Sequence, residues 1–146
     1  MDPTHYPAFS AYVVSAVVLC LTMLGLWFYS GVVRGGTRTV MNPEDATTVA
    51  KGAAMVTADP PAVARVLRAH QNAMANVVPF LILGLLDVLL GASRTAALLV
   101  FGTFTGARLV HAVTYVRGMQ PWRSIAFIVG SLAMVALVVD LVRHLP

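Results

Sequence analysis

Long runs of apolar residues alternate with polar joints along this chain. Four of the runs are long, and we place them at about residues 9–33, 61–90, 95–116 and 122–142. A helix needs about 20 mostly apolar residues to cross the hydrocarbon core of a bilayer, and lipid tolerates no unsatisfied backbone, so such runs must be helical. The pattern therefore predicts an all-α membrane protein, a four-transmembrane-helix bundle.

The joints between the predicted spans differ in length. The second and third joints, at about residues 91–93 and 118–121, are short and rich in turn-forming residues. The first joint, residues 34–60, is long and contains Gly35, Gly36, Asn42 and Pro43. We expect it to form a structured cap on one membrane face. Because no internal repeat or second domain is visible, we predict one domain over residues 1–146.

Basic residues collect near the long joint. In an antiparallel bundle the first and third joints share one membrane face, and the termini share the other with the second joint. The first face receives Arg34, Arg38, Lys51, Arg65, Arg68, Arg117 and Arg123, with Arg108 close behind. The second face receives only Arg94 and Arg143. By the positive-inside rule, the long loop is expected to face the cytoplasm.

Composition strengthens the membrane prediction. The chain is 58% hydrophobic and 11% charged, whereas a soluble domain carries roughly a quarter charged residues. The net charge of +4 forms no continuous basic stripe, so no nucleic-acid partner is expected. We interpret the lone Cys20 as a small buried hydrophobe. The first apolar run is too long for a signal-peptide core and lacks the expected flanks, so we interpret it as a mature helix.

Polar residues recur at helical spacing inside two of the predicted spans. The second span carries Arg65, Arg68, Asn72 and Asn76 along one face, and the third carries Arg108, His111 and Tyr115. An arginine at mid-membrane costs about 2.5–3.5 kcal/mol, so a buried one requires water, a partner or a ligand. Together with Arg34 and Arg123 at the same depth, these residues predict a cationic, anion-binding pocket.

Simpler interpretations stand beside that pocket. Arginines near helix ends can extend to lipid phosphates, which explains Arg65 and Arg117 better than the deeper Arg68 and Arg108. Asp45 and Glu44 in the loop are the expected acidic partners, because Asp87 and Asp140 lie toward the opposite face. His70 and His111 occupy different helices without a nearby carboxylate or cysteine, so we predict no metal.

Several short motifs together resemble one known family. RVLRAHQN over residues 65–72, followed by Asn76 and Pro79, is similar to the second-helix signature of the membrane-associated proteins in eicosanoid and glutathione metabolism, the MAPEG family. NPEDA over 42–46, RLVH over 108–111, Tyr115 and Arg123-Ser124 resemble its microsomal prostaglandin E synthase and glutathione transferase branch. The resemblance covers nearly the whole chain in the right order.

The resemblance implies a homotrimer that binds glutathione between adjacent subunits, in a site open to the cytoplasm, with a lipophilic electrophile entering from the membrane lipids. The implied glutathione-binding residues are Arg34, Arg68, Asn72, His111, Tyr115 and Arg123. The implied catalytic group comprises Arg123 beside the sulfur, the adjacent Ser124, and Asp45 reaching in from the loop.

The chain departs from the family pattern at three positions. Ala75 stands where catalytic members usually carry a glutamate for the amino end of glutathione, Gln71 replaces an arginine of the prostaglandin branch, and Phe127 replaces a tyrosine. The favoured hypothesis is a glutathione-dependent transferase or peroxidase. A prostaglandin-type isomerase is a narrower alternative, and a non-catalytic lipid-binding protein of the same fold is a second class. A small multidrug transporter would need an acidic residue in the first span, which offers none.

Overall fold

The structure is a computed structural model that describes residues 5–144. Its elements in chain order are α1 (Phe9–Thr37), β1 (Thr39–Val40), α2 (Pro43–Thr47), β2 (Ala54–Met55), α3 (Pro61–Leu89), α4 (Arg94–Arg117) and α5 (Trp122–Arg143). Among the described residues, four helices, α1, α3, α4 and α5, are long and apolar enough to cross a membrane. The predicted all-α membrane bundle is confirmed.

The first helix runs further than its apolar pattern indicated. The predicted membrane span ends at about residue 33, and α1 continues beyond it through both glycines to Thr37. The Thr37 hydroxyl donates a hydrogen bond to the carbonyl of Arg34 at 2.7 Å, inside the last turn. The helix stops at Arg38, which adopts a left-handed conformation with φ of 50°. The two glycines therefore remain helical, and α1 ends where Arg38 adopts the left-handed conformation that commonly terminates helices.

The other long helices begin and end at residues with clear local roles. Helix α3 starts at Pro61, whose missing N–H is no loss in a first turn. Ser93 caps α4, since its side chain accepts a hydrogen bond from the Ala96 N–H at 3.2 Å. Gly118 ends α4 with φ of 69°, a conformation that favours glycine. These signals explain why the observed bounds lie close to those predicted.

The long loop is an ordered cap, as expected, and contains a feature that the pattern did not indicate. Strands β1 and β2 pair in parallel, with Thr39 opposite Ala54 and Val40 opposite Met55. Helix α2 lies between the two strands in sequence and starts at Pro43. The pairing folds the loop back on the end of α1.

Two apolar clusters hold the bundle together. The larger lies in the half away from the loop and centres on Phe80, Phe101 and Phe104. The Phe80 and Phe104 rings stack with centroids 3.9 Å apart. The smaller cluster, nearer the loop, contains Leu26 and three alanines, Ala69, Ala73 and Ala112. Small residues allow helix backbones to approach closely, so the helices of the loop half lie close together at these alanines.

The outward faces of the helices are strongly apolar. Large side chains such as Phe28, Val32, Leu99 and Leu132 are more than half exposed on the isolated chain. An apolar surface of this extent requires lipid or another protein surface to cover it. The membrane helices also differ among themselves, since α4 has the lowest mean hydropathy and α5 the highest.

Candidate functional site

The deepest charged group in the loop half of the bundle is the guanidinium of Arg108. Its side chain is only 3% exposed. Its Nη2 donates a hydrogen bond to the side-chain oxygen of Asn72 at 2.6 Å and lies 3.3 Å from the Asn72 backbone carbonyl. The Nε of Arg108 is buried and has no partner within residues 5–144. Helical spacing on α3 and α4 therefore places a partly satisfied cation between the two helices.

A cluster of aromatic rings lies between α4 and the start of α5 on the same side. His111 is 3% exposed, and its ring meets that of Tyr115 edge-on, with centroids 5.5 Å apart. The guanidinium of Arg123, from the first turn of α5, lies over the Tyr115 ring with its carbon 4.8 Å from the centroid. The Phe127 ring approaches His111 from the next turn, at 6.0 Å. Cation–π attraction to the Tyr115 ring helps to hold the Arg123 cation in place.

The joint between α4 and α5 supplies a further contact to Arg123. We place the oxygen of the Gln120 amide toward Arg123, because its nitrogen would otherwise face only donors. The oxygen then accepts hydrogen bonds from Arg123 Nη2 and Nε at 2.7 and 3.2 Å, and the amide nitrogen donates to the Ser124 hydroxyl at 3.0 Å. Gln120 thus ties Arg123 and Ser124 together.

A second cationic region lies under the loop. Arg34 at the end of α1 forms an ion pair with Asp59, while its Nη1 is buried without a partner in the described part of the chain. A cavity of about 680 Å³ opens beside it. Its charged lining residues are Arg34, Arg38, Asp45 and Lys51. Asp45 accepts a hydrogen bond from the Asn42 amide at 3.1 Å, which holds the carboxylate at this cavity.

The single chain therefore brings the sequence-predicted residues together in two groups. One group contains Asn72, His111, Tyr115, Arg123 and Ser124, and the other contains Arg34 and Asp45. Arg68 is exposed on α3 and makes no hydrogen bond or ion pair to any residue between 5 and 144. The expectation that Asp45 or Glu44 pairs with the buried arginines is wrong, because Asn72 fills that role for Arg108.

Three participants were missed in the sequence or given another role. Gln120 lies in the predicted turn at residues 118–121, and its place three residues before Arg123 is a signal for a contact across the start of α5. Asp59 lies in the long loop, where no periodicity connects it with Arg34. Arg108 was included in a polar stripe, but its pairing with Asn72 depends on how α3 and α4 are aligned.

The fold and these contacts define a class of protein: a helical membrane protein whose loop half holds several arginines partly satisfied by uncharged groups. Such cations suit an anionic ligand, because guanidinium groups bind carboxylates in a forked geometry.

Comparison with known proteins gives the family. A sequence model of the MAPEG family matches residues 12–143, so the chain belongs to that family and is an integral membrane protein.

Several relatives align with most of the chain. Microsomal glutathione S-transferase 1 of Rattus norvegicus is 37% identical over 133 residues, covering 89% of this chain and 84% of the relative. The human protein of the same name is 35% identical over 133 residues, with the same coverage. Prostaglandin E synthase of Equus caballus is 34% identical over 155 residues, covering 99% of this chain and all of the relative. The family thus contains membrane enzymes, glutathione transferases among them.

Proposed function

We propose that this protein is a membrane-bound, glutathione-dependent transferase or peroxidase that acts on lipophilic electrophiles. The observation that carries the proposal is the position of Arg123. Its guanidinium lies over the Tyr115 ring, next to the buried His111, and is held by Gln120. This arrangement presents a fixed cation at the membrane end where other arginines gather, and it is suited to a thiolate.

The proposed chemistry rests on stabilising that thiolate. A free thiol of this kind has a pKa of about 8.5, so only a few per cent is ionised at neutral pH. A neighbouring guanidinium lowers the pKa of a thiol. Lowering it from about 8.5 to about 6.5 corresponds to about 2.7 kcal/mol and makes the thiolate the main species at pH 7. Ser124, joined to Arg123 through Gln120, would donate a hydrogen bond to the sulfur.

The reaction follows from an ionised sulfur. With a halide or epoxide, a carbon–sulfur bond forms while the halide leaves or the carbon–oxygen bond opens, and the resulting alkoxide takes a proton from water. With a hydroperoxide, the sulfur takes the terminal oxygen and releases an alcohol. A second glutathione then yields the disulfide and water. The exposed apolar faces of the helices give lipophilic substrates access from the bilayer.

The remainder of glutathione would be bound by the other predicted residues. Its two carboxylates match the guanidinium groups of Arg34 and Arg68, with Asn72 alongside on α3. Arg68 is exposed on the single chain, and the partly open Arg34 region lies beneath the loop. A homotrimer with the ligand between neighbouring subunits would cover Arg68 and join the two groups. Asp45 would reach this site from the loop, on the cytoplasmic side of the membrane.

Ala75 favours a second candidate function, non-catalytic lipid binding by the same fold. Alanine provides no countercharge for the ammonium group of glutathione, which the glutamate of catalytic relatives is expected to bind.

For the enzymatic function, one hydrogen-bond acceptor remains at this level of α3. The Ala75 carbonyl is free to accept, because Pro79 has no N–H to donate to it. The proposed enzyme would use that carbonyl in place of a carboxylate.

Binding and turnover distinguish the two functions. The detergent-solubilised chain would be titrated with glutathione by calorimetry and then assayed with a chlorodinitrobenzene-type electrophile. We expect saturable binding and conjugation well above the rate without protein. Binding without turnover would favour the lipid-binding function, and the absence of both would remove glutathione from the proposal.

The role of Arg123 is tested by the pH profile of conjugation. Arg123→Ala should move the rise in rate toward the pKa of free glutathione, about 8.5, and lower the rate at pH 7 by about 10- to 100-fold. Arg117→Ala, which removes an exposed arginine near the same joint, is the matched control and should leave the profile in place. An unchanged profile in Arg123→Ala would exclude thiolate stabilisation by this residue.

The role of the Ala75 position is tested separately. Ala75→Glu should tighten glutathione binding by about tenfold, since it restores a charged partner for the ammonium group. Glutathione lacking its amino group should bind the wild type and this variant equally. If the substitution changes nothing, the amino end of glutathione is bound elsewhere.

A further inference from the structure

A second group of polar side chains lies at the opposite end of the bundle from the arginines. Asp87 comes from the last turns of α3, Asp140 from the last turn of α5, and His144 caps α5. One ligand atom from each residue lies within 4.8 Å of the other two. The proposed glutathione chemistry uses none of these residues.

Asp87 is the unusual member of the group. It is 2% exposed, and its Oδ1 is buried without a hydrogen-bond partner in the described range, 5–144. Over the same residues, no arginine forms an ion pair with Asp87 or Asp140. His144 is the basic group that faces the two carboxylates, and a buried carboxylate oxygen without a donor or a bound cation is unfavourable. A cation between the three side chains would remove that cost.

His144 is oriented to contribute a nitrogen ligand. Its Nδ1 lies 2.9 Å from the backbone carbonyl oxygen of Asp140. A carbonyl can only accept, so Nδ1 carries a proton and donates it, and in the neutral ring the lone pair then lies on Nε2, where a metal would bind. A histidine that donates one ring N–H to a carbonyl while its other nitrogen binds a metal is the common arrangement in protein metal sites.

We propose that Asp87, Asp140 and His144 form a binding site for a divalent transition-metal ion, with Zn²⁺ as the matching ion. Two carboxylate oxygens and one imidazole nitrogen make a three-ligand set that leaves a fourth position for water. The imidazole favours zinc over magnesium or calcium, which prefer oxygen ligands. Ligands of a tetrahedral zinc ion lie roughly 3.4 Å apart, so small side-chain rotations would close the site.

The location gives an ion a route to the site. Asp140 and His144 are half-buried rather than enclosed, and both lie at the end of α5, where the helix reaches the membrane surface. Asp87 is the buried ligand that would anchor the ion between α3 and α5. A metal here would tie together the ends of two helices that no chain connection joins at this membrane face.

The test uses the chain of residues 1–146 without a tag, in detergent, stripped with a chelator and without glutathione. Zn²⁺ is titrated by calorimetry, and Co²⁺ is added separately to record the absorption bands of a tetrahedral site. We expect one Zn²⁺ per chain and intense Co²⁺ bands. Affinity should fall at least tenfold in His144→Gln and be lost in Asp87→Asn. His70→Gln, a histidine at the other end of the bundle, should bind zinc like the wild type.

Several results would overturn the proposal. Absence of saturable zinc binding in the wild type would exclude the metal site. Equal affinity in wild type and His144→Gln would place the ion elsewhere, as would displacement by an equal concentration of Mg²⁺. His144→Gln lies at a helix end and carries the test even if Asp87→Asn does not fold. Because glutathione is absent, the outcome is independent of the proposed enzymatic function.

Discussion

The contact between Arg108 and Asn72 allows a sharp test of how the bundle accommodates a buried charge. Asn72→Ala removes the side-chain oxygen that accepts from Arg108 at 2.6 Å. The backbone carbonyl at 3.3 Å remains, but the guanidinium then lacks its better acceptor. Arg108 cannot move to water without unpacking α4, because it is almost fully buried.

The expected cost follows from the charge on the donor. Hydrogen bonds to charged groups contribute about 1.5–3 kcal/mol, and a donor left unsatisfied in the interior adds to the loss. Since one weaker acceptor stays in place, we expect about 2 kcal/mol of destabilisation. For a chain of this length, about 1 kcal/mol lowers the Tm by roughly 2–4 °C, so the Tm should fall by roughly 4–8 °C.

The assay is thermal unfolding in detergent, followed by circular dichroism and compared with Gln71→Ala. Gln71 lies next to Asn72 on α3 but is exposed, so its replacement should shift the Tm by less than about 2 °C. A double variant, Asn72→Leu with Arg108→Met, should recover much of the loss, because neither a buried charge nor an orphaned acceptor remains. If Asn72→Ala has the same Tm as the wild type, burial of Arg108 does not depend on this hydrogen bond.

Three further predictions concern individual contacts. Tyr115→Leu should raise the KM for glutathione about three- to tenfold by removing the ring beneath Arg123, while Tyr115→Phe should leave it unchanged in steady-state kinetics. Arg34→Met should weaken glutathione binding by about tenfold in calorimetry, whereas Asp59→Asn, which removes the charge of a mostly buried partner, should lower the stability by about 1–3 kcal/mol because Arg34 loses its charged acceptor. Gly118→Ala should lower the Tm by several degrees, since φ is 69°, a conformation that a residue with a Cβ adopts only at a cost, whereas the nearby Arg65 side chain can move aside.

Much of the fold could be predicted because bilayer thickness imposes a length on each apolar run. Helices α3, α4 and α5 begin and end within about one residue of the predicted spans, at Pro61, Ser93 and Gly118. The end of α1 could not be placed in this way. Its last turn contains Gly35 and Gly36, which have a low helix propensity. Whether these residues are helical therefore depends on contacts with the cap.

Side-chain partnerships were harder to predict than helices. Helical spacing put Arg108, His111 and Tyr115 on one face of α4, and the structure keeps them there. The partner of each residue depends instead on how two helices are aligned, which no single-helix pattern contains. The alignment of α3 with α4 brings Asn72 to Arg108. The alignment of α3 with α5 brings Asp87 close to Asp140 at the end of the bundle away from the loop. The positions of Arg34, Arg68 and Asp45 in a complete ligand site remain predictions, because the proposed site would lie between neighbouring subunits.

The difference in apolar character between α4 and α5 has a consequence for biogenesis. Helix α4 has the lowest mean hydropathy of the membrane helices, and α5 has the highest; residues 118–121 alone separate them. The insertion channel releases segments into the bilayer according to their hydrophobicity. Insertion of α4 alone would therefore be weakly favoured until α5 emerges from the ribosome. We expect the two to enter the bilayer as a hairpin, so that the segment carrying the buried arginine is delivered by its more lipid-soluble neighbour.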